Sequence, residues 1–177
     1  DRRQRQMCIR DRVELARGGA VEMHPEQVRL DLVAESAAGR MRRDVPQTRI
    51  RARLEPCTVR GDAEMLERAV GNLLDNAVKW SPPGGEVGLT VSGGEVVVSD
   101  EGPGIAAEDL PFVFDRFYRS AAARGRPGSG LGLAIVRQVA ELHGGLVIAE
   151  DSVRGAVLRL RLPVTGPAPE PPRPSGG

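Results

Sequence analysis

Residues 72–85 read NLLDNAVKWSPPGG, a helix-forming stretch that stops abruptly at two prolines and two glycines. Asp62 is a suitable N-cap further upstream, so the sequence predicts a helix from near Asp62 to Trp80. At about 100° per residue, the apolar side chains of this helix fall on one stripe that faces a core. The stripe contains Leu66, Val70, Leu73, Leu74, Ala77 and Val78.

The opposite face of this helix carries two amides and the only lysine of the chain. With Asn72 taken as the origin, Asn76 lies at about 40° and Lys79 at about −20°. An asparagine oxygen is a neutral ligand suited to a Mg²⁺ ion that phosphates already hold, and lysine balances phosphate charge. The face therefore indicates a nucleotide site, although an ordinary solvent-exposed helix face carries a similar pattern.

A second candidate binding element is the run EVVVSD at 95–100, which predicts a buried strand that ends in Asp100. The following residues, EGPGI, place Gly102 and Gly104 in a turn. A carboxylate fixed at a strand end can accept a hydrogen bond from an amino group such as that of adenine, and the glycines let a base approach the backbone. An aspartate that opens a glycine-rich turn also occurs without any function.

A third glycine cluster, GSGLGLAIV at 128–136, lies immediately before a predicted helix. Backbone N–H groups at a helix start form an anion site that the helix dipole reinforces, here at Gly128, Gly130 and Gly132. A dinucleotide fingerprint would need a glycine where Leu133 stands, and a P-loop would need Gly-Lys-Ser/Thr. The cluster therefore predicts a phosphate site of another kind.

Between Asp100 and Gly132 lie about thirty residues without sustained periodicity, a length typical of a functional loop rather than of a connector. Four of the five aromatic residues of the chain fall within PFVFDRFYRS at 111–120. We expect these rings to anchor residues 103–127 as a mobile lid, with Arg119 able to meet a terminal phosphate on closure.

The remaining patterns predict two more helices, which begin at Leu30 and Gly132, and five strands. The strands span 50–54, 87–91, 95–99, 146–149 and 156–162. A Gly-Gly turn joins the second and third strands as a hairpin. This order predicts an α/β (α+β) fold, a two-layer α/β sandwich whose mixed, mostly antiparallel sheet carries helices on one face.

The composition narrows the classes of function. The 25 basic and 24 acidic residues leave a net charge of +1, which gives no electrostatic reason to expect nucleic acid or an anionic membrane as partner. No run approaches the roughly 18 apolar residues that a membrane-spanning helix needs. Cys8 and Cys57 are too few for a disulfide framework, and no His/Cys cluster has zinc-site spacing.

The motifs NLLDNAVKWSPPGG, DEGPGI, FDRFYR and GSGLGLAIV, in this order and spacing, resemble four boxes of the catalytic ATP-binding domain of sensor histidine kinases. These are the asparagine box, the first glycine box, the phenylalanine box and the second glycine box. The resemblance covers about residues 26–164, and KWSPPGG and FDRFYRS are similar to actinobacterial membrane-bound sensor kinases of two-component systems. It implies a Bergerat fold, ATP with Mg²⁺ as cofactors, and transfer of the γ-phosphoryl group to a histidine.

The resemblance also implies roles for individual residues. Asn76 would bind Mg²⁺, Asn72 and Lys79 would support the phosphates, and Arg119 is the candidate contact to the γ-phosphate. Asp100 would read adenine together with Gly104. The other implied nucleotide-binding residues are Trp80, Gly102, Ile105, Phe114, Gly128, Gly130, Leu131 and Gly132. Trp80 departs from the family, which commonly has Tyr or Phe there.

A larger departure concerns the acceptor histidine, which the family carries on a separate dimerisation helix in a motif that begins His-Glu or His-Asp. His24 is followed at once by Pro25, and His143 ends the third predicted helix, where capping is the simpler role. The stretch VELARGG at 13–19 resembles the end of the second dimerisation helix. We therefore expect the acceptor histidine to lie outside this sequence.

These observations predict four segments. Residues 1–12 are expected to be a non-native or disordered arm, 13–25 the end of a dimerisation helix and a linker, 26–164 the catalytic ATP-binding domain, and 165–177 a disordered Pro/Gly-rich tail. The expected partners are the protein's own dimerisation domain, in a homodimer, and the receiver domain of a response regulator. The segment is expected to be a cytoplasmic part of a membrane sensor, without membrane or nucleic-acid contacts of its own.

Three alternatives share parts of this pattern. Hydrolytic clamps such as type II topoisomerases, mismatch-repair proteins and chaperones place a general-base Glu four residues before the metal-binding Asn, where this chain has Asn72, and an amide cannot take a proton from water. A serine/threonine kinase of the anti-sigma-factor type is disfavoured by the phenylalanine box. A non-catalytic nucleotide-binding module would bind Mg-ATP without transferring phosphate.

Overall fold

The computed structural model describes residues 22–123, 125–126 and 128–165. The expectations for residues 1–21 and 166–177 lie outside the described residues. The elements, in chain order, are β1 (Glu26–Arg29), α1 (Leu30–Asp44), β2 (Arg49–Leu54), β3 (Thr58–Gly61), α2 (Ala63–Trp80), β4 (Glu86–Ser92), β5 (Glu95–Ser99), a 3₁₀ turn (Ala121–Ala123), α3 (Gly132–Leu142), β6 (Leu146–Asp151) and β7 (Ala156–Arg161).

The main sheet has five strands in the order β2-β4-β5-β7-β6. Strand β2 pairs with β4 in parallel, and the other three pairs are antiparallel. One face of this sheet packs against the helices in a single apolar cluster, while the other face carries polar and charged side chains. The predicted two-layer sandwich with a mixed, mostly antiparallel sheet is confirmed.

Helix α2 forms the centre of the helical layer. Its N-cap is Asp62, whose Oδ1 accepts the Met65 N–H at 3.0 Å, as the sequence predicted. The apolar stripe of α2 is buried, with Leu66, Leu73 and Leu74 fully shielded from solvent, and it packs into the same cluster as the core side chains of β4. The helix therefore holds its polar residues at fixed positions relative to the sheet.

The end of α3 lies beside the start of α2. His143 is the C-cap of α3, and its Nδ1 lies 2.7 Å from the Val139 carbonyl. The His143 Nε2 accepts the backbone N–H of Asp62 at 3.0 Å, so the hydrogen-bond network assigns the ring proton to Nδ1. The predicted capping role of His143 is confirmed, and its ring also joins the end of α3 to the start of α2.

The sequence did not predict a small second sheet, in which β1 and β3 pair antiparallel. Each strand has four residues and one strongly buried apolar side chain, Val28 or Val59. Such short segments give no alternation to detect, since their pairing depends on contacts between distant parts of the chain. Val59 also bridges to Val164 near the end of the described residues. Within the described part of the chain, no helix combines the length and apolarity needed to cross a bilayer.

Candidate active site

A cavity of about 350 Å³ opens between the C-terminal half of α2, the end of β5 and the loop that follows β5. This volume lies within the range of small-molecule sites. The predicted site residues that line the cavity are Asn76, Lys79, Trp80, Asp100, Gly104, Ile105, Arg119 and Gly130. The fold thus brings residues from all four sequence motifs to one place.

The other predicted site residues do not line this cavity. Phe114 and Leu131 are buried, at 9% and 1% exposure, and Phe114 belongs to the apolar core cluster. Gly102 belongs to the turn beneath Asp100, and Gly128 passes close to Lys79. Gly132 begins α3, and its carbonyl accepts a hydrogen bond from the Asn72 side chain.

Asp100 lies immediately after β5 and is only 5% exposed. Burial raises the pKa of its carboxyl, and the N–H groups of Gly102 and Ala156 act in the opposite direction. These two groups donate to Asp100 Oδ1, at 2.8 and 3.2 Å. Because both bonds use Oδ1, Oδ2 is the oxygen through which Asp100 can accept a hydrogen bond from a bound ligand.

The structure adds Gly155 and Ala156 to the surroundings of Asp100. Gly155 has a φ of +70°, and any side chain at this position would overlap the Asp100 carbonyl. Ala156 lines the cavity, and its carbonyl accepts the Asp100 N–H at 3.1 Å. Sequence reasoning missed both residues, because their proximity to Asp100 follows from the pairing of β5 with β7.

Asn72 is buried, contrary to the expectation from the sequence. The helical projection placed it on a polar face opposite the core, but it is only 7% exposed. The Asn72 Nδ2 donates to the Gly132 carbonyl at 3.2 Å, so its side chain joins α2 to the first residue of α3. The prediction was wrong about its exposure because α3 packs against a flank of α2 and buries a second strip beside the apolar stripe.

Two cationic side chains, Lys79 and Arg119, line the cavity, and Arg126 lies close to Lys79. Burial lowers the pKa of the Lys79 ammonium, and the charges of Arg119 and Arg126 lower it further, while Asp75 opposes them. Arg119 donates through Nη2 to the carbonyls of Ala123 and Arg126, so the loop itself holds its guanidinium. An anionic ligand in the cavity would relieve the repulsion among these cations.

The phenylalanine-rich segment anchors the loop only in part. Phe114 is buried in the core and Tyr118 donates to Asp109, as expected of anchors. Phe112 and Phe117 are 48% and 63% exposed, so the expectation that all four rings anchor the loop to the core is wrong for these two. Phe112 packs instead on Tyr118 within the loop, with ring centres 5.7 Å apart. Phe117 also has a φ of +62°, which is strained for a bulky side chain, and its N–H donates to the Gly130 carbonyl at 2.9 Å.

The possible metal ligands in this cavity suit a metal ion that binds together with phosphates. They suit a metal ion held by protein side chains alone less well. The described residues contain no group of three or more His, Cys, Asp or Glu side chains that could hold a metal ion. Asn76 contributes a neutral oxygen donor at the cavity wall. Magnesium commonly takes one or two protein ligands and completes its shell with phosphate oxygens and water, and this site fits that mode.

A family model described as histidine kinase-, DNA gyrase B- and HSP90-like ATPase matches residues 61–166. The chain belongs to this family of ATPases. Within the family it is an ATP-binding catalytic domain of the sensor histidine kinase type, as the following relatives show. The predicted resemblance and its Bergerat fold are confirmed.

The signal transduction histidine-protein kinase/phosphatase MprB of Mycobacterium avium (strain 104) is 47% identical over 152 residues, which cover 83% of this chain and 29% of that protein. The solved structure of a mycobacterial sensor histidine kinase MprB superimposes with a TM-score of 0.72 at 40% identity, covering 80% of this chain and 98% of that one. The ATP binding domain of PrrB from Mycobacterium tuberculosis gives a TM-score of 0.64 at 30% identity, with the same coverage. The chain thus spans about three tenths of the length of its curated relative.

Proposed function

We propose that this chain binds ATP together with Mg²⁺ and transfers the γ-phosphoryl group to a histidine on a dimerisation domain outside the described residues. The observation that carries this proposal is the composition of one cavity. Its wall contains the buried carboxylate of Asp100, the amide of Asn76 and the cations Lys79 and Arg119. Such a set can recognise a base, a metal ion and a polyphosphate at the same time.

Each side chain has a distinct task in this proposal. Asp100 accepts a hydrogen bond from the adenine amino group through its free oxygen, and Asn76 contributes one oxygen to the metal shell. Lys79 and Arg119 balance the charge of the phosphates. Bound magnesium would neutralise charge between the phosphates as the transfer proceeds.

The reaction needs little covalent chemistry from the domain itself. A nitrogen of the acceptor imidazole forms a bond to the γ-phosphorus, the bond from that phosphorus to the bridging oxygen breaks, and ADP leaves. Catalysis of such a transfer consists mainly of positioning and charge neutralisation. The side chains around the cavity are suited to both.

The residue at the position where related clamps carry a general base argues against hydrolysis of ATP by this domain. Here that position is Asn72, whose amide is buried and donates to the Gly132 carbonyl. An amide held in this way cannot accept a proton from water. We therefore propose a kinase domain rather than a nucleotide-driven clamp.

The partners in this proposal are those of a two-component system. They are the protein's own dimerisation domain, within a homodimer, and the receiver domain of a response regulator. The support is the similarity to signal transduction histidine-protein kinases, of which this chain spans a part. We also propose that the segment is a cytoplasmic part of a membrane sensor.

Calorimetric titration of the full chain with Mg-ATP and Mg-GTP tests the proposal. We expect Mg-ATP to bind more tightly than Mg-GTP, because Asp100 can only accept from the ligand. Asn76→Ala should weaken Mg-ATP binding roughly a hundredfold, or about 3 kcal/mol, without unfolding the chain. Thr90→Ala, at an exposed position of β4, should bind like the wild type. Equal affinity for Mg-ATP and Mg-GTP would exclude Asp100 from adenine recognition. An unchanged Mg-ATP affinity of Asn76→Ala would exclude Asn76 from metal binding.

A further inference from the structure

Arg126 makes two contacts with the last turn of α2, although it does not itself line the cavity. Its guanidinium carbon lies 4.8 Å from the centre of the Trp80 ring. Its Nη1 donates to the Lys79 carbonyl at 3.0 Å. Trp80 and Lys79 both line the cavity, so Arg126 contacts the cavity wall from outside.

Both contacts have a clear physical basis. The carbonyls of the last helical turn lack intrahelical partners, and a cation beside them complements the negative end of the helix dipole. A planar guanidinium also packs favourably on the face of an indole ring. Arg126 is exposed to solvent apart from these contacts, so replacing it does not open the core.

Backbone groups near Arg126 lie close to the side chains of Arg119 and Lys79. Arg119, on the cavity wall, donates to the Arg126 carbonyl. Two residues further on, a side chain at Gly128 would displace the flexible end of the Lys79 side chain. Gly128 has a φ of +155°, which together with this close approach favours glycine. Arg126 and Gly128 therefore both lie beside the last turn of α2, and the Arg126 side chain supplies the hydrogen bond to it.

We propose that Arg126 is a positioning residue that latches the end of the loop onto α2 and holds Trp80 and Lys79 in place for nucleotide binding. The latch consists of the Arg126 guanidinium, the Trp80 ring and the Lys79 carbonyl. It deepens the proposed function, since its effect on affinity presupposes that the cavity binds Mg-ATP. The contact itself involves no nucleotide atom, so it can be tested independently of nucleotide binding.

The positive charges around the latch also favour binding of an anionic ligand. Arg126 and Arg119 both lower the pKa of Lys79, so each guanidinium repels the Lys79 ammonium. The latch thus brings a third positive charge close to the cavity, at an electrostatic cost that an anionic ligand would offset. Loss of Arg126 should therefore weaken binding of a polyphosphate through both position and charge.

Trp80 is the only tryptophan of the chain, so its fluorescence reports on the latch directly. In nucleotide-free protein, Arg126→Ala should shift the emission to longer wavelength and increase quenching by acrylamide, because the ring loses its cover. Mg-ATP affinity should fall roughly three- to tenfold. Arg126→Lys keeps the charge but not the planar stack, so its emission should stay shifted while its affinity recovers in part.

The control is Arg53→Ala, which removes an exposed arginine from β2, an edge strand of the main sheet. It should match the wild type in emission and in affinity. Emission of Arg126→Ala identical to that of Arg53→Ala would overturn the latch, and a shifted emission with unchanged Mg-ATP affinity would overturn its positioning role. A wild-type chain that does not bind Mg-ATP would instead refute the proposed function, while the emission comparison would still decide whether the latch forms.

Discussion

Asp100 combines burial with a functional requirement for a free carboxylate oxygen. Burial raises the pKa of this carboxyl above its ordinary value of 3.8, against the opposing effect of two backbone N–H groups. A raised pKa means that the folded chain binds the proton more tightly than the unfolded chain does. The free energy of unfolding therefore falls as pH rises from 3.8 through the raised pKa. The residue costs stability at neutral pH, where its charge serves ligand recognition.

Asp100→Asn should change the stability of the fold and the affinity for ATP in opposite directions. The asparagine oxygen can accept the same N–H groups of Gly102 and Ala156 but does not ionise, so the variant should gain stability relative to the wild type as pH rises through that interval. Its amide nitrogen would face the adenine amino group, and ATP affinity should fall roughly tenfold or more. Urea unfolding between pH 3 and pH 7 and calorimetry measure the two effects. An Asp100→Asn chain that still prefers ATP over GTP would exclude Asp100 from adenine recognition.

At the scale of elements, the start of α2 depends on Asp62. Its Oδ1 accepts the Met65 N–H and its Oδ2 accepts the His24 N–H, each at 3.0 Å. Burial opposes ionisation of Asp62, but these backbone N–H groups hold its pKa below the ordinary value. Its contribution to stability is therefore present above the ordinary pKa of 3.8 and is lost as pH falls through the lowered pKa.

Asp62→Ala should destabilise the chain by about 1 kcal/mol at pH 7, because it removes the N-cap of the helix that carries Asn76 and Lys79. The loss should shrink in acid, where the carboxylate is protonated in the wild type as well. Urea unfolding at pH 7 and below pH 3 measures the difference. Asp44→Ala, at the exposed end of α1, should change stability by less than about 0.5 kcal/mol. Equal effects of the two substitutions would contradict the capping role.

The loop over residues 103–127 is the element that we expect nucleotide to order. Its described residues form turns and one 3₁₀ turn, and Phe112 and Phe117 are exposed. Mg-ATP should therefore slow hydrogen exchange in this segment, while exchange in β4 stays unchanged as an internal reference. Hydrogen exchange followed by mass spectrometry makes the comparison. Equal protection of the loop with and without Mg-ATP would exclude a lid that closes on the nucleotide.

At the scale of the whole molecule, sequence reasoning succeeded where a pattern lies within one segment. The apolar stripe of α2, its cap at Asp62 and the Gly-Gly hairpin are local features, and the structure reproduces them. It failed where distant segments meet. Gly155 beside Asp100, Arg126 on Trp80 and the burial of Asn72 by α3 depend on tertiary packing that a single sequence does not display.

Both histidines of the chain are in positions that argue against self-phosphorylation. The ring of His143 uses Nδ1 and Nε2 in hydrogen bonds to Val139 and Asp62. His24 lies beside the start of α2, where its backbone N–H is bonded to Asp62, and Asp62 and the cavity are at opposite ends of that helix. Phosphoryl transfer requires a nucleophile in line with the γ-phosphate, so in the proposed reaction we expect the acceptor histidine on another domain.

The most direct measurement is transfer of label from γ-labelled ATP in the presence of Mg²⁺. The full chain alone should bind ATP, remain unlabelled and hydrolyse ATP slowly. Addition of a dimerisation domain from a similar sensor kinase should give an acid-labile, alkali-stable phosphate on the histidine of that domain. Mg-ATP binding without transfer to any supplied domain would contradict the proposed kinase activity, and so would rapid ATP hydrolysis by the chain alone.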